Sequence, residues 1–362
     1  MKNTFGNNIS VTLFGESHSD AIGVVIDGLA PGMEINEEYI SSRLELRKPY
    51  GKISTARREA DEFKILSGVL GGYTTGTPLT LIIENKAQIS KDYEKTKDLL
   101  RPGHADFTAK MKYKGFEDYR GGGHFSGRIT APLVAAGAIL TYALEKKGIR
   151  IGTHISESLD ICDREFCDLD RDIDYLNNEK MPVLDKSVAE KIILAAEKAA
   201  DSGDSIGGTL QTVVTGMPAG VGEPWFDSVE SVISHAVFSV PAVKGIEFGK
   251  GFDFSKMYGS DANDPFEIKD GKIVTATNNN GGINGGITNS MPILFNTVIK
   301  PTPSIYKKQN TVNFDTMENA ELEIKGRHDP AIFHRARVVI DSAAAIVLCD
   351  ILAQRYGTDW LR

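Results

Sequence analysis

Asp118-Tyr119-Arg120-Gly121-Gly122-Gly123-His124-Phe125-Ser126-Gly127-Arg128 runs straight into an apolar stretch at 129–144, and the fold turns on that join. Three adjacent glycines carry no Cβ, so their backbone N–H groups can turn toward an anion that side chains would hold away. Arg120 and Arg128 bracket the cradle. Residues 131–144 are almost all small or apolar, and Pro132 falls in the first turn, where a missing N–H costs little. The pattern predicts a buried helix whose N-terminus faces the loop, adding backbone donors and a helix dipole to the two guanidinium charges. Such a loop suits phosphate or carboxylate. It lacks the Gly-Lys-Ser/Thr ending of a Walker loop, and it is not the Gly-x-Gly-x-x-Gly dinucleotide fingerprint.

Around this stretch lie 362 residues, 41% hydrophobic and 25% charged, ordinary values for a globular enzyme with a sizeable core. A net charge of −8 sets the surface as a whole against nucleic acid and anionic membrane, so any basic patch is local. The opening residues Met1-Lys2-Asn3-Thr4-Phe5-Gly6 lack a signal peptide's apolar stretch. The apolar runs read as shorter than the ~18 to 20 residues of a membrane helix, and a cytoplasmic protein off the membrane is expected. Cys162, Cys167 and Cys349 have no His or Cys partners at zinc spacing, which predicts free thiols, a reducing compartment and no metal.

Working outward, 11–14 and 22–26 read as an antiparallel strand pair that presents Gly15-Glu16-Ser17-His18 at its turn. Asn36 is placed to cap a helix over 37–46. The most basic region follows, with Arg43, Arg47, Lys48, Lys52, Arg57 and Arg58 threaded by Pro49 and Gly51, and it reads largely as loop. Strands are expected at 63–69, 79–84, 149–156, 209–215 and 291–299, with one more after Pro241. Helices are expected at 187–200, 227–238 and from about 340 to 355. The acidic segment 160–185 reads as a peripheral insertion, and 277–287 as a second glycine-rich turn region. With no repeat or low-complexity linker, one domain spanning 1–362, loops crowding one face, is the simplest organisation.

Three histidines stand in such loops beside acids or hydroxyls: Ser17-His18, His104 with Asp106, and His328-Asp329. Histidine titrates near neutrality and suits proton transfer, while arginine forks recognise carboxylate and phosphate. A metal hydrolase is disfavoured because no His-x-x-x-His occurs, and a Ser-His hydrolase because Ser17 lacks the Gly-x-Ser-x-Gly elbow. A non-catalytic anion-binding module would leave the loop imidazoles without a role. General acid chemistry on a small molecule bearing phosphate and carboxylate is the best physical reading, and spacing does not name that molecule.

Six blocks, in order, resemble the chorismate synthase family: Gly15-Glu16-Ser17-His18, Arg101-Pro102-Gly103-His104-Ala105-Asp106, Asp118 to Gly123, Gly203-Asp204-Ser205-Ile206-Gly207-Gly208, Lys300-Pro301-Thr302 and Gly326-Arg327-His328-Asp329-Pro330. The resemblance runs from Phe5 to the last helix. It implies an α+β sandwich, helices packed between antiparallel sheets, assembled as a homotetramer. It implies conversion of 5-enolpyruvylshikimate 3-phosphate to chorismate and phosphate by anti 1,4-elimination, the last step of the shikimate pathway in aromatic amino acid biosynthesis. Reduced FMN is the implied cofactor and NADPH a possible reductant; a non-catalytic flavin-binding relative is the alternative.

By the same resemblance His104 protonates the departing phosphate, His18 holds a proton near the flavin, and Asp329 with Ser17 assists transfer of the C6 hydrogen. Flavin contacts carry over to His124, Phe125, Ser126, Pro241, Ala242, Gly285, Lys300, Pro301, Thr302, Pro303, Ser304 and Arg327, and NADPH contacts to Arg47 and Lys52. Arg43, Arg47, Arg101, Arg128 and Arg327 are the implied anion contacts. His124 stands where many members carry arginine, and Pro241 where many carry asparagine.

Overall fold

The structure, a computed structural model, describes residues 2–54, 60–86, 97–324 and 329–362. Two five-stranded sheets enclose a layer of helices. The first sheet runs, in spatial order, Thr4–Phe5, Ser10–Phe14, Ala21–Asp27, Leu79–Glu84 and Phe63–Ser67. The second runs Val243–Phe248, Ile293–Ile299, Gly208–Thr215, Arg150–Ser158 and Ile161–Cys162. Every neighbouring pair in both is antiparallel, which separates this α+β fold from the doubly wound sheet that alternating segments could equally suggest.

Period-two patterning turns each first-sheet strand toward the helices. Ile22, Val24 and Ile26 on one strand and Leu79, Leu81 and Ile83 on its neighbour are fully buried, alternating with more accessible residues on the second of these. Against that face packs the central helix Thr130–Lys146, the one expected behind the glycine loop. On its other side lies the C-terminal helix Phe333–Tyr356, which in turn covers the second sheet. The two helices approach closely at Gly137, where a Cβ would sit 2.2 Å from Ser342 Cβ. Small residues on both, Ala135 and Ala138 on one and Ala344 and Ala345 on the other, are buried in the same core.

The residues Gly127–Lys146 form a 20-residue stretch long and apolar enough to cross a membrane, which corrects the expectation that no run reaches that length. Of its apolar window, 83% is buried inside the molecule, so sheet and helix contacts take the place of lipid.

Three further expectations change. The C-terminal helix begins at Phe333, not near 340: Arg337 in its second turn is 1% exposed and donates to the carbonyls of Leu176 and Glu179, so a charge is carried inside the core. The segment 160–185 is not merely peripheral, since the helix Leu169–Asn178 inside it buries Ile173 and Leu176 against strand Arg150–Ser158. A helix Asp106–Tyr113 starts where only a turn was expected, its first turn carrying Asp106. The expected cap is present, with Asn36 Oδ1 accepting from Tyr39 N at 2.9 Å.

These elements set the site. The end of strand Ser10–Phe14 meets the glycine loop before the central helix, the end of helix Glu37–Arg47 meets the start of the C-terminal helix, and the end of strand Ile293–Ile299 reaches the latter through residues 203–208.

Candidate active site

Ser17 and His18 follow the first sheet's second strand and are both buried. Ser17 Oγ lies 3.0 Å from His18 Nδ1 and reaches the carbonyls of Arg120 and Gly121 at 3.1 and 3.2 Å. Ser17 N donates to Gly123 O at 3.1 Å. The glycine loop is therefore built against the imidazole. A Cβ at Gly121 (φ +59°) would sit 2.2 Å from His18 Cε1 and 2.9 Å from Ser17 Oγ. One at Gly123 would sit 2.1 Å from Asp118 O. His124 Nδ1 lies 2.7 Å from Gly15 O, tying the loop back to the same turn. Ser126 caps the next turn by accepting from Arg128 N, and Phe125 stands partly exposed, edge-on to Tyr113 at 6.0 Å.

Arg120 is held by Asp118 at 2.8 and 2.9 Å. Burial raises the Asp118 carboxyl, but the Arg120 hydrogen bonds outweigh it and hold it below its ordinary value.

A second cluster joins three arginines. Asp61 accepts from Arg47 Nη2 at 2.8 Å through one oxygen and from Arg128 Nη1 through the other. All three side chains are buried. Arg128 Nε donates to Asn85 Oδ1 at 3.0 Å, and Asn85 Nδ2 donates to the carbonyls of Glu16 and Ser19 at 3.1 and 2.8 Å, which straps the Ser17-His18 turn to Arg128. Arg335 donates from Nε to Arg47 O at 2.8 Å and from Nη1 to Asp329 Oδ2 at 2.9 Å. Burial lowers the Arg47 guanidinium from its usual value; Asp61 opposes that shift, and Arg335 and Arg128 add to it. Burial would raise the Asp61 carboxyl, but Arg47 and Arg128 hold it below the usual carboxylate value.

The third cluster forms where strand Ile293–Ile299 ends. His104 Nε2 lies 2.8 Å from Ser304 Oγ and its Nδ1 3.2 Å from Pro102 O. Lys300 Nζ donates to Gly103 O at 2.6 Å, and a Cβ at Gly103 would sit 2.8 Å from Pro303 Cβ. Thr302 O accepts from Ser205 Oγ at 2.7 Å. Arg101 forks onto Asp106 at 2.8 and 2.7 Å. Burial, then the Arg101 cation, push His104 down to about 4, so the ligand-free imidazole is neutral near pH 7. Cluster three meets cluster two through the Gly203–Gly208 loop: Ile206 N donates to Pro330 O at 2.9 Å, and Gly207 packs on Pro301. Ala242 O accepts from Lys300 N at 2.9 Å, which places Pro241 and Ala242 beside it.

The structure thus brings together Ser17, His18, His124, Ser126, Arg128, Arg47 and Asp329, and through the 203–208 loop His104, Lys300, Pro301, Thr302, Pro303 and Ser304. It does not bring in Arg43, which donates to Asn177 Oδ1 and Tyr39 OH at 3.1 and 2.7 Å beside the far end of the central helix. Lys52 is 86% exposed beside Glu197, and Gly285 lies in the hairpin Ile283–Asn284/Ile287–Thr288. Arg327, with Arg57, Arg58 and His328, lies outside the described residues. Asp61, Asn85 and Arg335 were missed in sequence. Asp61 stands beside Glu59 and Glu62 in no recognisable motif, and a lone Asn at a strand end or an Arg in a helix carries no local signal.

Helices layered between antiparallel sheets, with imidazoles and cations gathered on loops at one end of the layer, make this an α+β enzyme acting on a small molecule. The chorismate synthase family model matches residues 9–353. Among curated relatives, the chorismate synthase of Thermococcus gammatolerans is 44% identical over 350 residues, 97% of each chain. That of Dehalococcoides mccartyi is 45% identical over 360 residues, 99% of this chain and 98% of the relative. A crystal structure of a chorismate synthase superposes with a TM-score of 0.75 at 24% identity, covering 98% of this chain and 94% of the other, and shows the same fold. The chain belongs to the chorismate synthase family, and it is a lyase of aromatic amino acid biosynthesis.

Proposed function

We propose that the substrate is 5-enolpyruvylshikimate 3-phosphate, that the cofactor is reduced FMN, and that the clusters around His18, Arg128 and His104 form one active site. The observation that carries this reading is the fit of the glycine loop to His18, where Gly121 leaves no room for a Cβ beside the imidazole. A loop shaped only to bind an anion would not require that contact.

In the elimination the C3–O bond to phosphate breaks, the C6–H bond breaks, and a second ring double bond forms with no net redox change. Arg47 and Arg128 attract the anionic groups and fix their orientation. His104 is neutral without ligand, and a bound phosphate dianion raises its proton affinity, so the substrate itself prepares the group that protonates its leaving phosphate. Ser17 orients the His18 ring through Nδ1, and that ring is the group that would hold or move a proton. Asp329, fixed by Arg335, would with Ser17 assist removal of the C6 hydrogen as a proton, the C6–H electrons passing into the new double bond.

The residues fit the flavin: the Thr302 hydroxyl is buried without a partner among the described residues, and Phe125 offers an exposed ring. His124, Phe125, Ser126, Pro241, Ala242 and the stretch 300–304 would hold it, with Gly285, which one chain's fold leaves apart from these clusters, and Arg327 carried from the sequence. When bound, the reduced flavin supplies an electron-rich ring that eases departure of phosphate before the unactivated hydrogen leaves. NADPH is proposed only as the source of reducing equivalents, with Arg47 and, carried from the sequence although it stands exposed beside Glu197, Lys52 as its contacts.

The chain acts as one domain over 1–362, in the cytoplasm, as a homotetramer. Trp225, Phe226, Phe252, Tyr258, Phe266 and Ile268 are each at least 70% exposed, which supports self-association. Anaerobic turnover with photoreduced FMN, following chorismate absorbance and phosphate together, tests the chemistry. Product only with reduced flavin is expected; binding of flavin and substrate without product would favour the non-catalytic relative.

A further inference from the structure

Asp61 is conspicuous for what it gives up. It is a non-glycine residue at φ +51°, its side chain is 1% exposed, and it comes from the segment before strand Phe63–Ser67 to meet two guanidiniums from other elements. A left-handed backbone and a buried charge both oppose folding, and buried ion pairs rarely exceed a well-packed apolar cluster in stability. Stability alone is a poor reason for this arrangement.

Its geometry gives a better one. One carboxylate oxygen takes Arg47, at the end of helix Glu37–Arg47, and the other takes Arg128, in the turn that enters the central helix. The two guanidiniums share this carboxylate as an anchor. Arg128 passes the constraint through Asn85 to the turn that carries Ser17 and His18. Asp61 is shared between Arg47 and Arg128, and Arg335 is held by Asp329. Arg47 Nε is also buried with no partner among the described residues, a donor that awaits an acceptor. Among the described residues that one bond of Arg47 is left for an arriving acceptor to fill.

We propose that Asp61 is a positioning residue of the elimination, orienting Arg47 and Arg128 on the anionic substrate and restraining their combined charge so that inorganic phosphate can leave. This rests on the active-site reading above. The restraint follows from sign: one carboxylate between two guanidiniums lowers the local positive potential, and an anion held too tightly as product slows release.

The test compares Asp61→Asn, Asp61→Glu and Arg128→Ala. Binding of radiolabelled inorganic phosphate to flavin-free protein is measured by equilibrium dialysis, and kcat is measured per folded site. Asp61→Asn is expected to bind phosphate at least threefold more tightly while kcat falls at least tenfold. Asp61→Glu keeps the charge, so its phosphate Kd stays within twofold of the parent while the displaced carboxylate still lowers kcat at least fivefold. A merely structural Asp61 would lower thermal stability and leave both quantities per folded site unchanged. Unchanged or weaker phosphate binding in Asp61→Asn, or kcat within twofold, overturns the proposal. If Asp61→Asn does not fold, kcat within twofold in Asp61→Glu overturns it. Arg128→Ala separates the two levels: phosphate binding weakened at least tenfold sustains the active-site reading even where Asp61 fails, and unchanged binding removes that reading.

Discussion

At the scale of single residues, the site depends on atoms that are absent as much as on those present. Gly121 allows the loop carbonyls to meet Ser17 Oγ because no Cβ stands between the loop and His18. Gly121→Ala leaves the backbone able to reach φ +59° at a cost of about 1 kcal/mol, yet the added methyl must displace the imidazole. We expect kcat to fall roughly 100-fold or more, the scale of a misplaced proton-transfer group, with the far-ultraviolet spectrum unchanged. Activity within a few-fold of the parent would show that His18 need not sit there. Titration is a second residue-scale matter. Burial, with Arg335 adding to it, holds His334 down to about 3, below the ~6.5 of an unfolded histidine. The native ring is neutral and the unfolded ring binds the proton, so this contribution is complete above pH 6.5 and is lost as pH falls toward 3. The slope is about 1.4 kcal/mol per pH unit. Urea unfolding at pH 6.5 and 5 measures it, and His334→Gln should flatten the decline; an unaltered slope would mean burial of a neutral ring is not its source.

At the scale of elements, the layer between the sheets is set by one close approach. Gly137 and Ser342 let the central and C-terminal helices meet with Cβ-to-Cβ room for neither a larger residue nor a shift, since both outer faces already carry sheets. Gly137→Leu is expected to destabilise by about 2 to 3 kcal/mol, seen as a lower denaturation midpoint, because the helices can separate only by unseating a sheet. An unchanged midpoint would mean the pair has slack. Helix and strand positions were legible where periodicity was strong: 37–46, 187–200 and 209–215 all fall on observed elements. They were illegible where charge is internal. Arg337 lies inside a helix and inside the core, satisfied by carbonyls from residues 158 to 161 positions away in sequence, and no local pattern announces such partners.

At the scale of the molecule, the apolar surface near 225–268 is the feature left over by the fold of one chain. We expect light scattering to give a mass near four times the 39.4 kDa chain, and paired Phe266→Lys and Ile268→Lys substitutions to reduce it. A monomer at all concentrations would sink the tetramer proposal.

The sequence by itself determined the glycine loop and the buried helix behind it, the capped helix after Asn36, and the family, because each depends on residue type and near-neighbour spacing. The family in turn carried the α+β class, which antiparallel pairing throughout both sheets agrees with. Only the tertiary structure decided which cations share a carboxylate. Arg43 and Arg47 are four residues apart on one helix, yet one is drawn to Tyr39 and Asn177 and the other to Asp61. Those partners are brought within bonding distance by the packing of helices between sheets, and that packing is a property of the whole chain rather than of any segment within it.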